Sequence, residues 1–114
     1  MGEAELDEII FSTGFNRLSV LTGRPVAQSS SELLASPKMK DLLQALHRQT
    51  EVNITIFDLP ALLRNDDAML FAPYTDATLI VVEDGVTTRE QLETSIRLVE
   101  KANFIGTILN KARE

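Results

Sequence analysis

The sequence contains no cysteine, one histidine and no long apolar run, and each shortage excludes a class of protein. Without cysteine there is no disulfide framework and no thiolate zinc site, and His47 alone cannot build a metal centre. The longest apolar runs, such as residues 78–82, are far too short to cross a bilayer. We therefore expect a cytoplasmic protein without direct membrane insertion.

A nucleotide-binding motif is also missing from these residues. None of the five glycines is followed by lysine, so the 114 residues contain no Gly-x-x-x-x-Gly-Lys-Ser/Thr loop. That loop holds nucleotide phosphates through its backbone amides and its lysine. We expect the chain alone to bind no nucleotide.

The charge balance argues against polyanionic ligands. The chain has 17 acidic and 11 basic residues, a net charge of −6, and its bases do not cluster. A sequence-independent grip on nucleic acid or anionic lipid needs a basic patch, so neither is an expected direct ligand. The length and the ordinary apolar share of 44% predict a single folded domain over residues 1–114.

Hydrophobic periodicity predicts alternating helices and strands. The spacing of Leu6, Ile9 and Ile10 favours a short opening helix, and residues 18–21 favour a strand. A helix begins near Ser31, and a second over residues 37–49 has an apolar stripe at i, i+3, i+4 and i+7. These residues predict the pattern of the first half of the chain.

The second half is predicted in the same way. Residues 52–57 alternate as a strand, residues 65–73 favour a short helix, and residues 77–82 form an apolar run typical of a strand covered on both faces. A helix over about 88–101, capped by Thr87 or Thr88, and a strand over 104–109 complete the order. Because the connections are long enough for crossovers, we predict an α/β fold with three layers, α/β/α, around a mainly parallel sheet.

The candidate site follows from this fold. Ligands of parallel α/β sheets bind beyond the carboxyl ends of the strands, where Asp58, Glu83-Asp84 and Asn110-Lys111 are expected. Asp58 could hold a magnesium ion, directly or through water, or could only accept hydrogen bonds from the turn amides of residues 59–62. Asn110 offers a donor and an acceptor to a purine edge, or simply forms a turn.

Asp67 has a similar pair of interpretations. Together with Asn65 and Asp66 it most simply caps the following helix and stabilises its amino terminus electrostatically. Lys111, beside Asn110, reads as a solvated base. These residues suggest a nucleotide site without its phosphate loop.

Several short motifs together resemble the cytoplasmic domain of bacterial tyrosine autokinases, which are P-loop NTPases related to MinD and ParA. The motifs are Leu18-Ser19-Val20-Leu21, Ser31-Glu32-Leu33-Leu34, Phe57-Asp58-Leu59-Pro60, Asn65-Asp66-Asp67-Ala68 and Leu109-Asn110-Lys111. They fall in the family's order, and the resemblance covers residues 5–112, as the later half of that domain. It implies that Asp58 is the Walker B acid that arranges magnesium and takes part in catalysis, that Asp67 is the acid opening the next helix at the nucleotide site, and that Asn110 contacts adenine.

The resemblance also implies cofactors and partners. The family uses ATP and magnesium to phosphorylate tyrosine, controls capsule and exopolysaccharide export, and works with a membrane-bound polysaccharide co-polymerase or transmembrane activator at the inner membrane. The chain has Pro60-Ala61 where the family usually has two prolines, and these 114 residues include no tyrosine-rich tail of the kind that the family uses for autophosphorylation. We expect a truncated relative that is inactive alone.

Two other hypotheses stay open. One is a nucleotide-free, kinase-like module that binds a polysaccharide co-polymerase, and the other is part of a MinD-type or ParA-type positioning ATPase. In the related folds the phosphate-loop strand lies beside the Walker B strand. Without it, strand 52–57 would expose an edge, so we predict a homo-oligomer or pairing with a partner.

Overall fold

A computed structural model describes residues 10–22, 30–34, 36–48 and 54–113. The chain divides into two compact units, residues 1–57 and residues 58–114. The first unit contains strands β1 (Ile10–Ser12) and β2 (Ser19–Leu21) and helices α1 (Ser30–Leu34) and α2 (Pro37–His47). The second contains helix α3 (Asp67–Phe71), a 3-10 turn (Ala72–Tyr74), strand β3 (Thr78–Glu83), helix α4 (Arg89–Val99) and strand β4 (Phe104–Asn110). The prediction of a single domain stays a prediction.

The first unit begins with an antiparallel hairpin. Ile10 pairs with Leu21 and Ser12 with Ser19. The connection is closed by the Thr13 hydroxyl, which donates to the Leu18 carbonyl at 2.9 Å. The opening helix predicted from Leu6 to Ile10 is therefore wrong at Ile10, and residues 1–9 lie outside the described residues.

The error has a local physical cause. Small residues followed by glycine, as in Ser12-Thr13-Gly14, are typical of a helix end, but here Gly14 has φ +81°, a left-handed conformation that turns the chain back on itself within a hairpin. The Phe15 N–H also donates to the Thr13 hydroxyl at 3.2 Å, which stabilises the turn. The strand predicted over 18–21 is confirmed, but it pairs antiparallel rather than parallel.

The helices of the first unit are confirmed. Helix α1 covers the Ser-Glu-Leu-Leu motif, and α2 begins after Ser36, whose hydroxyl accepts from the Met39 N–H at 3.3 Å. Pro37 occupies the first position of α2, where its missing N–H has no intrahelical partner to lose. The stripe of Met39, Leu42, Leu43 and Leu46 is half-buried.

The strand predicted over 52–57 is wrong for its described part. Residues 54–60 form neither helix nor strand, and the Ile54 and Ile56 side chains are 79% and 87% exposed. A strand exists only through hydrogen bonds to a neighbouring strand, and no described strand pairs with this segment. Val52 and Asn53 lie outside the described residues.

The second unit opens with the predicted short helix. Helix α3 spans Asp67–Phe71 and continues into the 3-10 turn at Ala72–Tyr74. Its amino terminus is held by Asn65, whose side-chain oxygen accepts from the Asp67 N–H at 3.1 Å. Asp66 occupies the cap position without a side-chain cap bond.

Strands β3 and β4 form a parallel pair, as predicted. Ile80 faces Thr107, Val82 faces Leu109, and Glu83 faces Asn110. Helix α4 connects them and begins with a complete capping box. The Thr88 hydroxyl accepts from the Gln91 N–H at 3.1 Å, and the Gln91 side chain accepts from the Thr88 N–H at 2.9 Å.

The core of the second unit lies between the helices and one face of this pair. Ala72, Val99 and Ala102 are buried together, and Leu62, Ile80 and Phe104 pack against them. The Thr78 hydroxyl donates to the Ala102 carbonyl at 2.8 Å, which fixes the start of β3 beside the start of β4. Phe71, the last residue of α3, is the most buried large side chain among the described residues.

The predicted burial of β3 on both faces differs from the structure. Ile80 packs against the core, but Leu79 and Val81 are 50% and 60% exposed. Successive strand residues point to opposite faces, so a core on one side buries only every second residue. The structure thus shows a mixed α/β arrangement with a parallel pair of strands.

Candidate functional site

The carboxyl ends of β3 and β4 lie side by side because their register pairs the last residues of the two strands. Glu83 faces Asn110, and the Asp84 N–H donates to the Asn110 carbonyl at 3.0 Å. The Lys111 ammonium forms an ion pair with the Glu83 carboxylate at 2.9 Å. The sheet therefore brings two of the three predicted strand-end groups together, Glu83-Asp84 and Asn110-Lys111.

The chain that leaves β4 stays attached to this edge. The Arg113 N–H donates to an Asp84 carboxylate oxygen at 3.2 Å. Lys111 has φ +55°, a left-handed conformation that a residue other than glycine adopts at a cost of about 1 kcal/mol or more. The turn after Asn110 is thus defined by specific contacts on both of its sides.

Asn110 ends β4 and is exposed. Its side-chain oxygen accepts from the Lys111 N–H at 3.0 Å. Its side-chain nitrogen has no hydrogen-bond partner among the described residues, so it is available as a donor at the edge. The turn-forming and ligand-binding interpretations of this residue are therefore compatible, since the side-chain oxygen accepts from the turn and the side-chain nitrogen remains available as a donor.

Asp58 lies in the non-helical, non-strand segment that precedes the second unit's first turn, and its side chain is exposed. Within the described residues, which include 59–62, no hydrogen bond to its carboxylate is found. The alternative in which Asp58 only accepts from those turn amides therefore has no support in this structure. A carboxylate without a partner among the described residues suits magnesium, which takes oxygen ligands and retains several waters.

Asp67 is the first residue of α3 and is half-buried. Its backbone N–H donates to Asn65, so Asn65, rather than either aspartate, provides the side-chain cap. A carboxylate in the first helical turn is favoured by the helix dipole, so Asp67 agrees with the electrostatic part of the earlier interpretation, while the side-chain cap itself comes from Asn65. No hydrogen bond or ion pair among the described residues joins Asp58 or Asp67 to the edge formed by Glu83 and Asn110.

The sequence reasoning missed the Glu83–Lys111 ion pair, because it treated Lys111 as a solvated base. The sequence contained a signal for this pair. If parallel strands end at Glu83 and Asn110, then Lys111, the residue after the second strand, lies beside Glu83, the last residue of the first. The Thr87 hydroxyl, which accepts from the Glu83 N–H at 2.9 Å, was also missed as a support of this edge. The ion pair depends on a strand register that periodicity does not specify, whereas the Thr87 contact is local to the turn after β3.

The described ranges contain neither a candidate metal cluster nor a candidate membrane-spanning helix. No group of three or more His, Cys, Asp or Glu side chains in that part of the chain is placed to hold a metal ion. Over the same ranges, no helix has the length and apolar character needed to span a bilayer.

Comparison with known proteins connects this chain to kinases. No protein-family profile and no solved structure matches it. Tyrosine-protein kinase YwqD of Bacillus subtilis (strain 168) is 27% identical over 110 residues, which are 95% of this chain and 46% of YwqD. Tyrosine-protein kinase etk of Escherichia coli (strain K12) is 30% identical over 111 residues, 96% of this chain and 15% of that protein.

A third relative comes from another genus. Tyrosine-protein kinase CpsD of Streptococcus agalactiae is 28% identical over 115 residues, 99% of this chain and 49% of CpsD. The chain therefore spans less than half the length of each of these relatives. This chain is homologous, over nearly all of its length, to part of the bacterial tyrosine-protein kinases.

Proposed function

We propose that this chain forms part of an ATP-dependent protein-tyrosine kinase, namely the part that carries the magnesium-binding acid and the residue that contacts the nucleotide base. The observation that carries the proposal is the similarity to tyrosine-protein kinases over about 95% of the chain. The geometry agrees with it, because the parallel pair β3–β4 ends in a polar edge where ligands of α/β sheets bind. In this proposal the pair belongs to a larger three-layer α/β/α sheet of the P-loop type.

Each candidate residue has a role in the proposal. Asp58 would hold magnesium through its exposed carboxylate, and Asn110 would donate from its side-chain nitrogen to the nucleotide base. Asp67 would contribute negative charge near the site from the first turn of α3. Bound magnesium would supply positive charge that neutralises the phosphates during phosphoryl transfer to tyrosine.

The biological setting is also a proposal. A kinase of this type would regulate capsular or exopolysaccharide biosynthesis and export. It would act in the cytoplasm, at the inner membrane, through a membrane-bound polysaccharide co-polymerase or transmembrane activator, and it would form homo-oligomers. The exposed apolar side chains Ile54 and Ile56 are consistent with such an interaction, because solvent-exposed apolar groups favour association.

A second candidate function is a nucleotide-free, kinase-like module that binds a co-polymerase. This function would need no Gly-x-x-x-x-Gly-Lys motif, whereas the kinase function requires that motif elsewhere in the complete gene product, since these 114 residues do not contain it. A MinD-type or ParA-type positioning ATPase is less favoured, because the relatives described above carry tyrosine-kinase names.

Tyrosine phosphorylation tests the proposal directly. The complete gene product that contains this chain would be incubated with ATP and magnesium, and phosphotyrosine would be quantified. We expect activity in the wild type and a loss of at least about tenfold in Asp58→Asn, since losing a group that arranges a metal typically costs about 10–100-fold. Asp66→Asn is the matched control, because Asp66 lies at a helix terminus without a side-chain cap bond and has no proposed role.

A binding experiment separates the two candidates. If the complete protein forms no phosphotyrosine but binds a co-polymerase cytoplasmic domain, the module function is supported and the kinase function is wrong. For the 114-residue chain alone, calorimetry with magnesium and ATP should detect no micromolar binding, because the phosphate contacts of the loop are missing. Micromolar binding by this chain would contradict the need for that loop.

A further inference from the structure

Three contacts hold the last residue of β4 and the segment after it against the end of β3. The Lys111 ammonium contacts the Glu83 carboxylate at 2.9 Å, and the Asp84 N–H donates to the Asn110 carbonyl at 3.0 Å. The Arg113 N–H donates to the Asp84 carboxylate at 3.2 Å. Glu83 and Asp84 thus hold Asn110, Lys111 and Arg113, which lie before, within and after the turn.

This arrangement determines how Asn110 presents its amide. The Lys111 N–H lies in the same peptide plane as the Asn110 carbonyl, which the Asp84 N–H holds, and it donates to the Asn110 side-chain oxygen at 3.0 Å. Lys111 itself has φ +55°. With the oxygen directed to the backbone, the side-chain nitrogen is left as the outward hydrogen-bond donor. A residue other than glycine leaves the left-handed region readily unless surrounding contacts hold it there.

We propose that Glu83 and Asp84 are positioning residues that hold Asn110 for contact with the nucleotide base. Glu83 acts through the Lys111 side chain, and Asp84 acts through the backbone on both sides of Lys111. The consequence is a preset donor at the base-binding edge, suited to an acceptor nitrogen of a purine ring. This inference rests on the proposed kinase function, since it assigns support to that same site.

A charge exchange tests the role of Glu83. The KM for ATP and kcat would be measured in the complete gene product for the wild type, Glu83→Lys, Lys111→Glu and the double exchange. We expect each single change to raise KM about fivefold, with kcat within twofold, because the loss of one oriented hydrogen bond has about that effect on binding. The double exchange restores the ion pair with opposite polarity and should recover most of the wild-type KM.

The control is another exposed ion pair on the same unit. Arg89 and Glu93 on α4 contact at 2.8 Å with side chains 92% and 49% exposed, so Glu93→Lys makes the same charge change away from the edge. If Glu83→Lys and Glu93→Lys have equal KM values, Glu83 does not position Asn110. Failure of the double exchange to improve on either single change would have the same meaning.

Asp84 has a conservative variant of its own. Asp84→Asn retains an oxygen that can accept from the Arg113 N–H, whereas Asp84→Ala removes the acceptor. We expect a raised KM in Asp84→Ala and near wild-type KM in Asp84→Asn. Equal KM values in the wild type and Asp84→Ala would overturn the role of this residue.

Amide hydrogen exchange distinguishes this inference from the proposed function. The Lys111 N–H should exchange more slowly in the wild type than in Glu83→Lys, with Glu93→Lys unchanged, and this measurement needs no nucleotide. A wild type without tyrosine phosphorylation would refute the kinase function. Normal wild-type activity combined with unchanged Lys111 exchange in Glu83→Lys would refute the positioning role alone.

Discussion

Phe71 offers a quantitative test of the core of the second unit, because it is the least exposed large side chain described, at 2%. An aromatic side chain buries about 150–250 Å². At about 25 cal/mol per Å², Phe71→Ala loses about 4–6 kcal/mol of transfer free energy. Measured Phe→Ala losses of about 3–5 kcal/mol agree with this range, and partial collapse of the cavity lowers the cost.

The matched control is the preceding residue on the same helix. Leu70 is 47% exposed, so Leu70→Ala removes a large apolar side chain at a similar helical position but leaves little cavity. We expect a loss of about 1 kcal/mol there. The difference between the stability losses of the two variants therefore measures the effect of burial, because both variants change helix propensity in a similar way.

Urea unfolding followed by circular dichroism measures both losses. With slopes of about 1–3 kcal/mol per molar urea, Phe71→Ala should lower the midpoint by more than 1 M. Because small domains have only about 5–15 kcal/mol of stability, Phe71→Ala can unfold the protein outright, and Phe71→Leu then provides a milder variant with an expected loss of about 1–2 kcal/mol. A Phe71→Ala loss equal to that of Leu70→Ala would refute the described packing.

Three further outcomes are expected. Thr88→Ala should lower the free energy of unfolding by about 1 kcal/mol in urea titrations, because it removes the side chain that caps the first turn of α4. Gln91→Ala should lower it by less, because it removes only the reciprocal bond of the capping box and leaves the Thr88 cap in place. Asn65→Ala should lower the thermal midpoint more than Asp66→Ala, since only Asn65 caps α3. Asp58→Asn should change the free energy of unfolding by less than about 0.5 kcal/mol, because the exposed carboxylate has no described partner; a larger change would contradict its assignment to ligand binding alone.

Apart from the opening helix, local signals predicted the helices well. Helix α2 has a stripe at helical spacing and begins at Ser36-Pro37, and α4 begins at Thr88 with Gln91 three residues later. In both cases the cap and the periodic stripe lie within one short stretch of sequence. Strands β3 and β4 were predicted for a similar reason, since apolar runs of strand length are bounded by polar residues.

The failures concern pairing. The hairpin at 10–21 depends on Thr13 and Gly14 turning the chain, and the helical spacing of Leu6, Ile9 and Ile10 does not reveal a partner strand. Ile54 and Ile56 alternate as a strand should, but alternation supplies no hydrogen-bonding neighbour. The burial of one face of β3 likewise depends on where α4 packs, which is a non-local property.

For the candidate site, the sequence by itself determined the residue chemistry: an acid at Asp58, an amide at Asn110, and the adjacent acids Glu83 and Asp84 at a strand end. The tertiary structure decided which of these groups meet. Parallel pairing of β3 with β4 brings Lys111 to Glu83 and Arg113 to Asp84, whereas no hydrogen bond or ion pair among the described residues joins Asp58 or Asp67 to that edge. The physical reason is that side-chain chemistry is fixed locally, but strand register and the turn after Asn110 are fixed by hydrogen bonds between residues nearly 30 positions apart.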